Sequence, residues 1–453
     1  MQTETVRRAP WPSHRAGVPR IRIAAVPREL VWLGAILATS LGLRLAWVLF
    51  TNWHPVFDDD AFRYDFAARA LAEGRGYIHL SGEPTAFWPP GYPLLLSAVY
   101  ALFGESVRAA QLLNVALGTA TVALVYLIGK RTLGAQAAIV GAAITAMFPS
   151  LIFFTGVTLS EITFTFLVLL AILLVLIEAQ RDASSGSRQR LALLFATGLV
   201  LGCAALVRGQ ALLLPLVLVP FWLRSGVSWT SVGTKVGVLA IGIAAIVLPW
   251  TVRNAIQLDS PVLVSTNAGV DFWIGHNEAA GRPDQAAGAP LVLRHPELDG
   301  VQRELRANRD GFREGLAFAA THPARELVLP FKKLFWLYYN DEEGLRWNEG
   351  HGSQPFLSEP VRAGLLVLSN VYYFAIIGLV LLGIPLWFTL RDPGRLLLVS
   401  LVAYWTLVHL VFFGDPRFHA PVLPMVALLA ALPWAALWSG RMPWERPREP
   451  GLH

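Results

Sequence analysis

The most prominent pattern in the chain is a series of long apolar runs separated by polar segments. Most runs have about the 20 residues that an α-helix needs to cross a bilayer. Because backbone polar groups must be satisfied internally in lipid, we interpret the runs as helices. The pattern predicts an all-α polytopic membrane protein with about ten transmembrane helices, at residues 30–50, 107–128, 136–154, 160–177, 191–207, 209–223, 236–250, 363–388, 395–413 and 420–438.

Composition agrees with a membrane body. Of the 453 residues, 55% are hydrophobic and 15% are charged, and the mean hydropathy is +0.50. A typical soluble domain is about 25% charged. Cys203 is the lone cysteine, so a framework of disulfides within the chain is excluded.

Lysine and arginine in short loops predict the orientation of the helices. We place both termini inside, since the opposite orientation would put nearly every basic short loop on the outer side. The inner basic residues are then the arginines of the N-terminal tail, Lys130, Arg131, Arg181, Arg188, Arg190, Arg224, Lys235, Arg391, Arg395, Arg441, Arg446 and Arg448. This one-sided distribution also explains the net charge of +6, so we expect no nucleic acid partner.

The orientation divides the chain into predicted parts. They are a basic cytoplasmic tail at 1–29, a transmembrane module at 30–250 that includes an outer loop at 51–106, a large outer loop at 251–362, C-terminal transmembrane helices at 363–438 and a cytoplasmic tail at 439–453. Connections as long as the large loop are usually functional or disordered. Helical periodicity at 298–320 and 324–338 indicates that this loop folds.

The first outer loop contains two segments with the pattern of amphipathic helices. Asp60–Glu73 places Phe62, Phe66 and Ala70 on one face, and a second apolar stripe follows Pro89-Pro90-Gly91. Helices of this kind lie in the plane of the membrane interface. We therefore expect two large outer loops that carry interfacial helices.

Three consecutive aspartates, Asp58, Asp59 and Asp60, directly follow the first apolar run. One interpretation is helix capping, because aspartate at a helix start accepts backbone N–H bonds. Like charges side by side repel, however, and capping does not explain all three. The other interpretation is chemical: one carboxylate serves as a general base for an alcohol, and Asp58 or Asp59 binds a cation or a sugar hydroxyl.

Glu161 lies where the third predicted span turns into the fourth, on the same outer side as Asp60. An ionisable residue at this depth is a candidate for function. Capping of the helix start is the alternative.

Several basic residues occur at the outer ends of spans or in the large loop, namely Arg208, Arg253, Lys332, Lys333 and Arg417. Arginine matches phosphate with two parallel hydrogen bonds, but snorkelling toward lipid headgroups is the alternative for each. Arg44, inside the first span, either snorkels or pairs with an acidic residue. The sequence has no glycine-rich phosphate loop, no Cys/His zinc spacing and no HExxH helix.

Taken in order, these motifs resemble those of bacterial GT-C glycosyltransferases. The resemblance is to glycosyltransferase family 39 and aminoarabinose-transferase-like proteins, which are relatives of the protein O-mannosyltransferases. It spans residues 30–435 and rests on order and spacing. The segments that carry it are Asp60–Tyr64, Ala70–Tyr77, Pro89–Pro93, Ser160-Glu161, Arg208, Pro249-Trp250, Arg253-Asn254, Ser265–Gly269, Trp273–Gly275 and Arg417–Pro424.

The resemblance implies a GT-C fold and an inverting sugar transfer on the periplasmic face of a bacterial inner membrane. The donor would be a sugar on a polyprenyl phosphate, and the acceptor a lipid, a glycan or a protein. Asp60 would be the general base, and Glu161 would orient the acceptor or the base. Membrane lipids are further expected partners. A divalent cation, Mg²⁺ or Mn²⁺, is a candidate cofactor that the sequence does not require.

One departure affects the donor phosphate. In the aminoarabinose-transferase branch a lysine commonly precedes the double proline, and here that position is Trp88. The phosphate contact therefore stays open among Arg63, Arg253, Lys332, Lys333 and Arg417. The full set of predicted substrate-binding residues is Asp59, Arg63, Tyr64, Arg208, Arg253, Lys332, Lys333 and Arg417.

Other functions remain as alternatives. A lipid-glycan transporter or flippase would place charged or helix-breaking residues near the middle of the membrane. An oligosaccharide ligase or polymerase would share the polyprenyl-linked donor but transfer larger glycans. A non-catalytic scaffold would lack a cavity between Asp60 and Glu161.

Overall fold

A computed structural model describes residues 27–57, 59–181, 186–281, 294, 296–349, 355–387 and 392–438. Over these residues the chain is helical, and its only β pairing is an isolated bridge between Ile78 and Pro84. Nearly all of the two predicted cytoplasmic tails lies outside the described residues.

The helices are α1 (Arg28–Phe50), α2 (Asp60–Ala72), α3 (Gly91–Phe103), α4 (Val107–Thr132), α5 (Ala135–Met147), α6 (Pro149–Phe153), α7 (Glu161–Ala179), α8 (Ser187–Val207), α9 (Leu214–Val217), α10 (Val219–Arg224), α11 (Trp229–Gln257), α12 (Ala268–Gly275), α13 (Gly300–Thr321), α14 (Pro323–Glu326), α15 (Leu329–Tyr338), α16 (Glu343–Glu349), α17 (Glu359–Leu382), α18 (Ile384–Trp387), α19 (Pro393–Val411) and α20 (Leu423–Trp438). Short 3₁₀ segments cover Phe154–Gly156, Gly209–Leu213 and Pro416–Val422.

The predicted all-α polytopic fold is confirmed. Within the described residues, eight helices are long and apolar enough to cross a membrane, and the bent pair formed by Ala135–Met147 and Pro149–Gly156 is a ninth candidate. The sixth predicted span, 209–223, is not one continuous helix. Pro215 and Pro220 lie at the starts of α9 and α10, and a proline ring removes a backbone donor and breaks a helix.

Arg44 on α1 holds the bent span together. The side chain is 1% exposed, and Nη1 donates to the carbonyl oxygen of Ala146 at 2.9 Å while Nη2 donates to that of Thr145 at 3.3 Å. These carbonyls lie at the end of α5, where a 58° bend removes their partners in the next turn. Arg44 therefore caps a broken helix, and neither of the two roles expected for it applies.

The predicted helices of the two loops are present. α2 and α3 match the two amphipathic segments of the first loop, and α13 with α14 and α15 matches the periodicity of the second. The loops contact each other through Glu304 of α13, whose buried carboxylate accepts from Thr85 Oγ1 at 2.6 Å, Ala86 N at 2.9 Å and Thr266 Oγ1 at 2.6 Å. Four groups from three segments thus form one hydrogen-bonded junction.

Gly91 allows the first loop to approach the membrane helices. A Cβ atom at Gly91 would lie 2.6 Å from the backbone carbon of Leu206 at the end of α8. Only glycine permits this contact at the start of α3. The Pro-Pro-Gly motif therefore packs against the residues that directly precede Arg208.

We expect Arg44→Met to destabilise the protein, because two buried carbonyl oxygens at the end of α5 lose their donor. Each unsatisfied buried polar group costs about 1–3 kcal/mol. Thermal unfolding in detergent should show a lower midpoint than that of Leu49→Met, a matched substitution at a position of α1 that is 64% exposed. Equal midpoints for the two variants would contradict the capping role.

Candidate active site

Arg417 lies between two carboxylates that are far apart in the sequence. Its Nη1 donates to Asp60 Oδ2 at 2.6 Å, and its Nε donates to Glu161 Oε1. The guanidinium also lies over the ring of Trp347, 4.6 Å from its centroid. One arginine thus joins the start of α2, the start of α7 and the helix α16.

Arg208, directly after α8, is the second cation at this place. Its Nη2 donates to Glu161 Oε1 at 2.6 Å, and its Nε donates to Ser160 Oγ at 3.1 Å. The rings of Phe164 and Phe418 flank the guanidinium. We refer to Asp60, Glu161, Arg208 and Arg417 as the ion cluster.

Local sequence explains where the two carboxylates lie. Asp59 is the N-cap of α2, and its Oδ1 accepts from Phe62 N at 2.6 Å. Asp60 is then the first residue of α2 and Glu161 the first residue of α7. Carboxylates are stabilised at helix starts by the helix dipole, so the capping residue Asp59 and the candidate base Asp60 are neighbours at the start of α2.

The segment that carries Arg417 is fixed by His419. Its Nδ1 is 2.7 Å from the carbonyl oxygen of Leu337, and its Nε2 is 2.9 Å from Asp341 Oδ1. A carbonyl oxygen only accepts, so Nδ1 carries a proton and a second proton lies between Nε2 and Asp341. Burial raises the pKa of Asp341, against the hydrogen bond from His419. The rings of Tyr338 and Tyr373 stack on the imidazole.

The ion cluster is deeply buried except at Asp60. The side chains of Glu161, Arg417 and Arg208 are 2%, 8% and 10% exposed, whereas that of Asp60 is 27% exposed. Asp60 is therefore the most solvent-accessible member of an otherwise buried cluster. Electrostatic interactions are stronger in such a site than in water.

The cluster retains hydrogen-bonding capacity. Among the described residues, Arg208 Nη1 and Arg417 Nη2 have no protein hydrogen-bond partner, and neither does the buried Oε2 of Glu161. The two guanidinium nitrogens can donate to an anion, while Asp60 Oδ1 can accept from a hydroxyl. The arrangement can thus bind a phosphate and abstract a proton from an alcohol.

Tyr64 lies one turn after Asp60 on α2 and is 6% exposed. Burial raises the pKa of Tyr64 to about 12, and the charge of Asp60 adds to the increase. The hydroxyl therefore stays protonated beside the ion cluster, which is a suitable state for a hydrogen-bond donor.

Sequence reasoning missed two residues at this site. Trp347 contacts Arg417, and the partly buried Asp271 of α12 interacts electrostatically with Asp60 and Arg208. Burial raises the pKa of Asp271 to about 7, with a further increase from Asp60 and a decrease from Arg208. The available signal was an acidic residue within Ser265–Gly275, a stretch that otherwise carried the family resemblance.

Four other predicted residues lie apart from the ion cluster. Arg63 Nη1 is 3.3 Å from His79 Nε2. Arg253 donates to the carbonyl oxygens of Tyr77 and Thr85 at 2.6 and 2.7 Å. Lys332 is exposed.

Lys333, on α15, is buried against the end of α19. Its Nζ donates to the carbonyl oxygen of Leu410 at 3.0 Å. Burial lowers the pKa of Lys333 to about 8. Arg253 and Lys333 thus join loops to helix ends. Trp88, at the position of the family lysine, packs its ring between those of Phe87 and Tyr64.

The predicted cation site is only partly within the described residues, because Asp58 lies outside them. Asp59 caps α2, and Asp60 and Glu161 face arginines. Among the residues that the structure describes, no group of three His, Cys, Asp or Glu side chains could hold a metal ion. A role for Mg²⁺ or Mn²⁺ stays a prediction.

We expect Glu161→Gln to destabilise the fold more than Asp60→Asn. Removal of the Glu161 charge leaves Arg208 buried without its carboxylate, and breaking a buried ion pair costs about 3–5 kcal/mol. Asp60 is partly solvated, so its loss costs less. Thermal midpoints in detergent at pH 7 check the order; a reversed order would contradict the central position of Glu161.

Comparisons with known proteins give a family match for part of the chain and solved structures with a similar fold. Residues 88–252 match the family model of dolichyl-phosphate-mannose-protein mannosyltransferases. No curated protein matches the chain at a significant level.

Among solved structures, the oligosaccharyltransferase AglB from Archaeoglobus fulgidus, in complex with an inhibitory peptide and a dolichol-phosphate, is 15% identical with a TM-score of 0.55, over 91% of this chain and 50% of that one. Its apo form gives 15% identity and a TM-score of 0.54, over 90% and 51%. ArnT from Cupriavidus metallidurans bound to undecaprenyl phosphate gives 16% identity and a TM-score of 0.42, over 90% and 79%.

The chain spans about half the length of the oligosaccharyltransferase, so the likeness to AglB is one of fold. The order of motifs, the helical architecture and the mannosyltransferase family match agree with that fold. The chain is a multi-pass membrane protein with the fold of AglB, and its residues 88–252 match the mannosyltransferase family model.

Proposed function

We propose that the protein is an inverting glycosyltransferase that moves a sugar from a polyprenyl-phosphate donor to an acceptor hydroxyl, with Asp60 as general base. The observation that carries the proposal is the position of Asp60. Its partly exposed carboxylate lies beside two buried arginines that can each still donate a hydrogen bond. The acceptor oxygen attacks the anomeric carbon and its proton passes to Asp60. The bond from that carbon to the phosphate oxygen breaks, and its electron pair stays on the phosphate oxygen.

The geometry suits Asp60 as the base. Arg417 holds Oδ2 at 2.6 Å, which fixes the carboxylate plane and leaves Oδ1 free of protein partners within the described residues. A base on the first residue of a capped helix is preorganised, because the helix start and the salt bridge both restrict its rotamer.

Arg208 and Arg417 suit the leaving group. Charge accumulates on the lipid phosphate as the sugar leaves, and fixed cations in a dry site stabilise that charge without reorganisation. Glu161 pairs with both arginines. In this proposal its role is to hold the two guanidinium groups in place.

An apolar cleft of about 300 Å³ beside Arg208 suits the first isoprene units of the prenyl tail. Phe164 belongs to its wall and also lies against the Arg208 guanidinium, so a lipid in the cleft would place its phosphate at the ion cluster. The lining residues are Phe164, Val168, Gln210, Ala211, Leu214, Leu401, Tyr404, Trp405, Pro421, Val422 and Met425.

Two further points support the proposal. AglB, which shares the fold, was solved with a dolichol-phosphate and a peptide, in line with a lipid phosphate donor and a separate acceptor. The basic residues of the short loops support a site on the outer, periplasmic face of a bacterial inner membrane.

A transporter is less well supported, since the ion cluster lies at helix ends. The acceptor is a lipid, a glycan or a protein.

We expect Asp60→Asn to abolish transfer with the fold retained, because an amide cannot accept the hydroxyl proton. The measurement is sugar transfer from a polyprenyl-phosphate donor by purified protein, together with thermal unfolding. Glu73→Gln is the matched control, an exposed acid at the end of the same helix. A folded Asp60→Asn variant with full activity would overturn the base assignment.

We expect Val168→Phe to reduce transfer from a long-chain donor more than from a donor with a short prenyl chain. The added volume narrows the apolar cleft but leaves the ion cluster unchanged. Val252→Phe, at a position that is 55% exposed, controls for the substitution itself. Equal losses with both donors would argue against the cleft as the tail site.

The donor itself can be identified in cells. Deletion of the gene should cause a polyprenyl-phosphate sugar to accumulate among the lipid-linked glycans. Accumulation of a polyprenyl-linked oligosaccharide would instead favour the ligase.

A further inference from the structure

Trp347 brings an aromatic ring from the predicted large outer loop to a cation of the ion cluster. It lies on α16, and the guanidinium carbon of Arg417 is 4.6 Å from the centroid of its ring. Both side chains are buried, and Trp347 is 6% exposed. The contact is therefore a cation–π interaction in a place that excludes most water, where such interactions are strongest.

The helix that carries Trp347 is anchored by contacts that do not involve Arg417. The next residue, Asn348, donates from Nδ2 to the carbonyl oxygen of Phe153 at 3.0 Å. Gly156 leaves room for this amide, since a Cβ atom there would clash with Asn348 Oδ1. The ring of Trp347 is thus held on a fixed frame, and a change confined to the ring leaves the anchor of α16 in place.

An aromatic partner differs from a carboxylate in what it leaves available on the arginine. Asp60 and Glu161 each accept a hydrogen bond from Arg417, whereas the ring of Trp347 covers the cation and brings no negative charge. In the part of the chain that the structure describes, Nη2 of Arg417 keeps its donors. Arginine suits this arrangement, because its planar cation packs on aromatic rings while its edge donates hydrogen bonds.

We infer that Trp347 is a positioning residue for the proposed transfer, whose ring keeps water away from Arg417 so that the remaining N–H groups of this cation meet the donor phosphate in a dry place. This inference rests on the proposed function. Negative charge grows on the phosphate as the sugar leaves, and a dry cation stabilises that charge more than a hydrated one does. The ring should therefore raise kcat more than it tightens binding of the donor.

The alternative is that Trp347 only fills space between α16 and the rest of the protein. In that case the size and shape of the side chain matter, and the electron density of its ring does not. Fluorine atoms on the indole withdraw electron density from the negative face of the ring and change its shape little. Fluorination therefore separates the two roles.

The test places tryptophan with one, two or three fluorine atoms at position 347 of the full-length protein, which is studied in lipid nanodiscs. The first measurement is the affinity for polyprenyl monophosphate, which carries the added charge of the leaving group in full. The second is transfer from the lipid-linked sugar that accumulates in the deletion strain. Affinity and kcat should fall stepwise with the number of fluorine atoms, by roughly tenfold over the series, with a smaller change in KM.

A second tryptophan and two ordinary substitutions complete the experiment. The same fluorinated series at Trp229, which is 71% exposed at the start of α11, should leave affinity and transfer unchanged. Trp347→Phe keeps an aromatic face and should retain more affinity and transfer than Trp347→Leu. Thermal midpoints establish that each protein is folded.

The inference and the proposed function can fail separately. A flat response to fluorination at position 347 in a protein that transfers sugar would overturn the role of Trp347 and leave the transferase standing. A Trp347→Leu variant with wild-type affinity and transfer, or a wild-type protein that does not bind polyprenyl monophosphate, would also overturn it. A stepwise loss of affinity in a protein that transfers no sugar would support the role of the ring and reject the transferase.

Discussion

The structure depends on one buried arginine. Arg417 can be buried only because it forms ion pairs with Asp60 and Glu161. These carboxylates lie on two other segments, 357 and 256 residues away in sequence. A buried charge without such partners would cost several kcal/mol, roughly 3–5 when one partner is removed. The first loop, the start of α7 and the segment before α20 are therefore fixed relative to one another by electrostatics as well as by packing.

The surroundings of Arg417 follow from this constraint. A guanidinium that must meet two carboxylates and the ring of Trp347 has a single allowed position. His419, two residues on, is held by Leu337 and Asp341, which prevents the 3₁₀ segment from shifting. These contacts are absent from the local pattern of the sequence, yet they determine where the charges of the site lie.

The sequence predicted the helices well because apolar periodicity is a local property. It also predicted Asp60, Glu161, Arg208 and Arg417 as candidates, and the structure brings these four together. Arg253 carried the same signal, a basic residue at the outer end of a span, and Lys333 was a basic residue of the large loop, but both donate to backbone carbonyls. No local pattern distinguishes a carboxylate partner from a carbonyl when that partner is far away in sequence.

The breaks in the membrane helices show the same limit. The third span was predicted as one helix, but it bends before Pro149, where Arg44, about a hundred residues earlier, supplies hydrogen-bond donors to the carbonyl oxygens freed by the bend. Gly118 on α4 leaves room for this arginine, since a Cβ there would lie 2.9 Å from Arg44 Nε. Three residues on three helices together encode one bend.

A balanced ion cluster also bears on how an anionic product could leave. In the proposed reaction the donor phosphate is a diester with one negative charge, and the released lipid phosphate is a monoester that carries close to two at pH 7. Fixed arginines already engaged with carboxylates stabilise this added charge without holding the product as tightly as unpaired cations would.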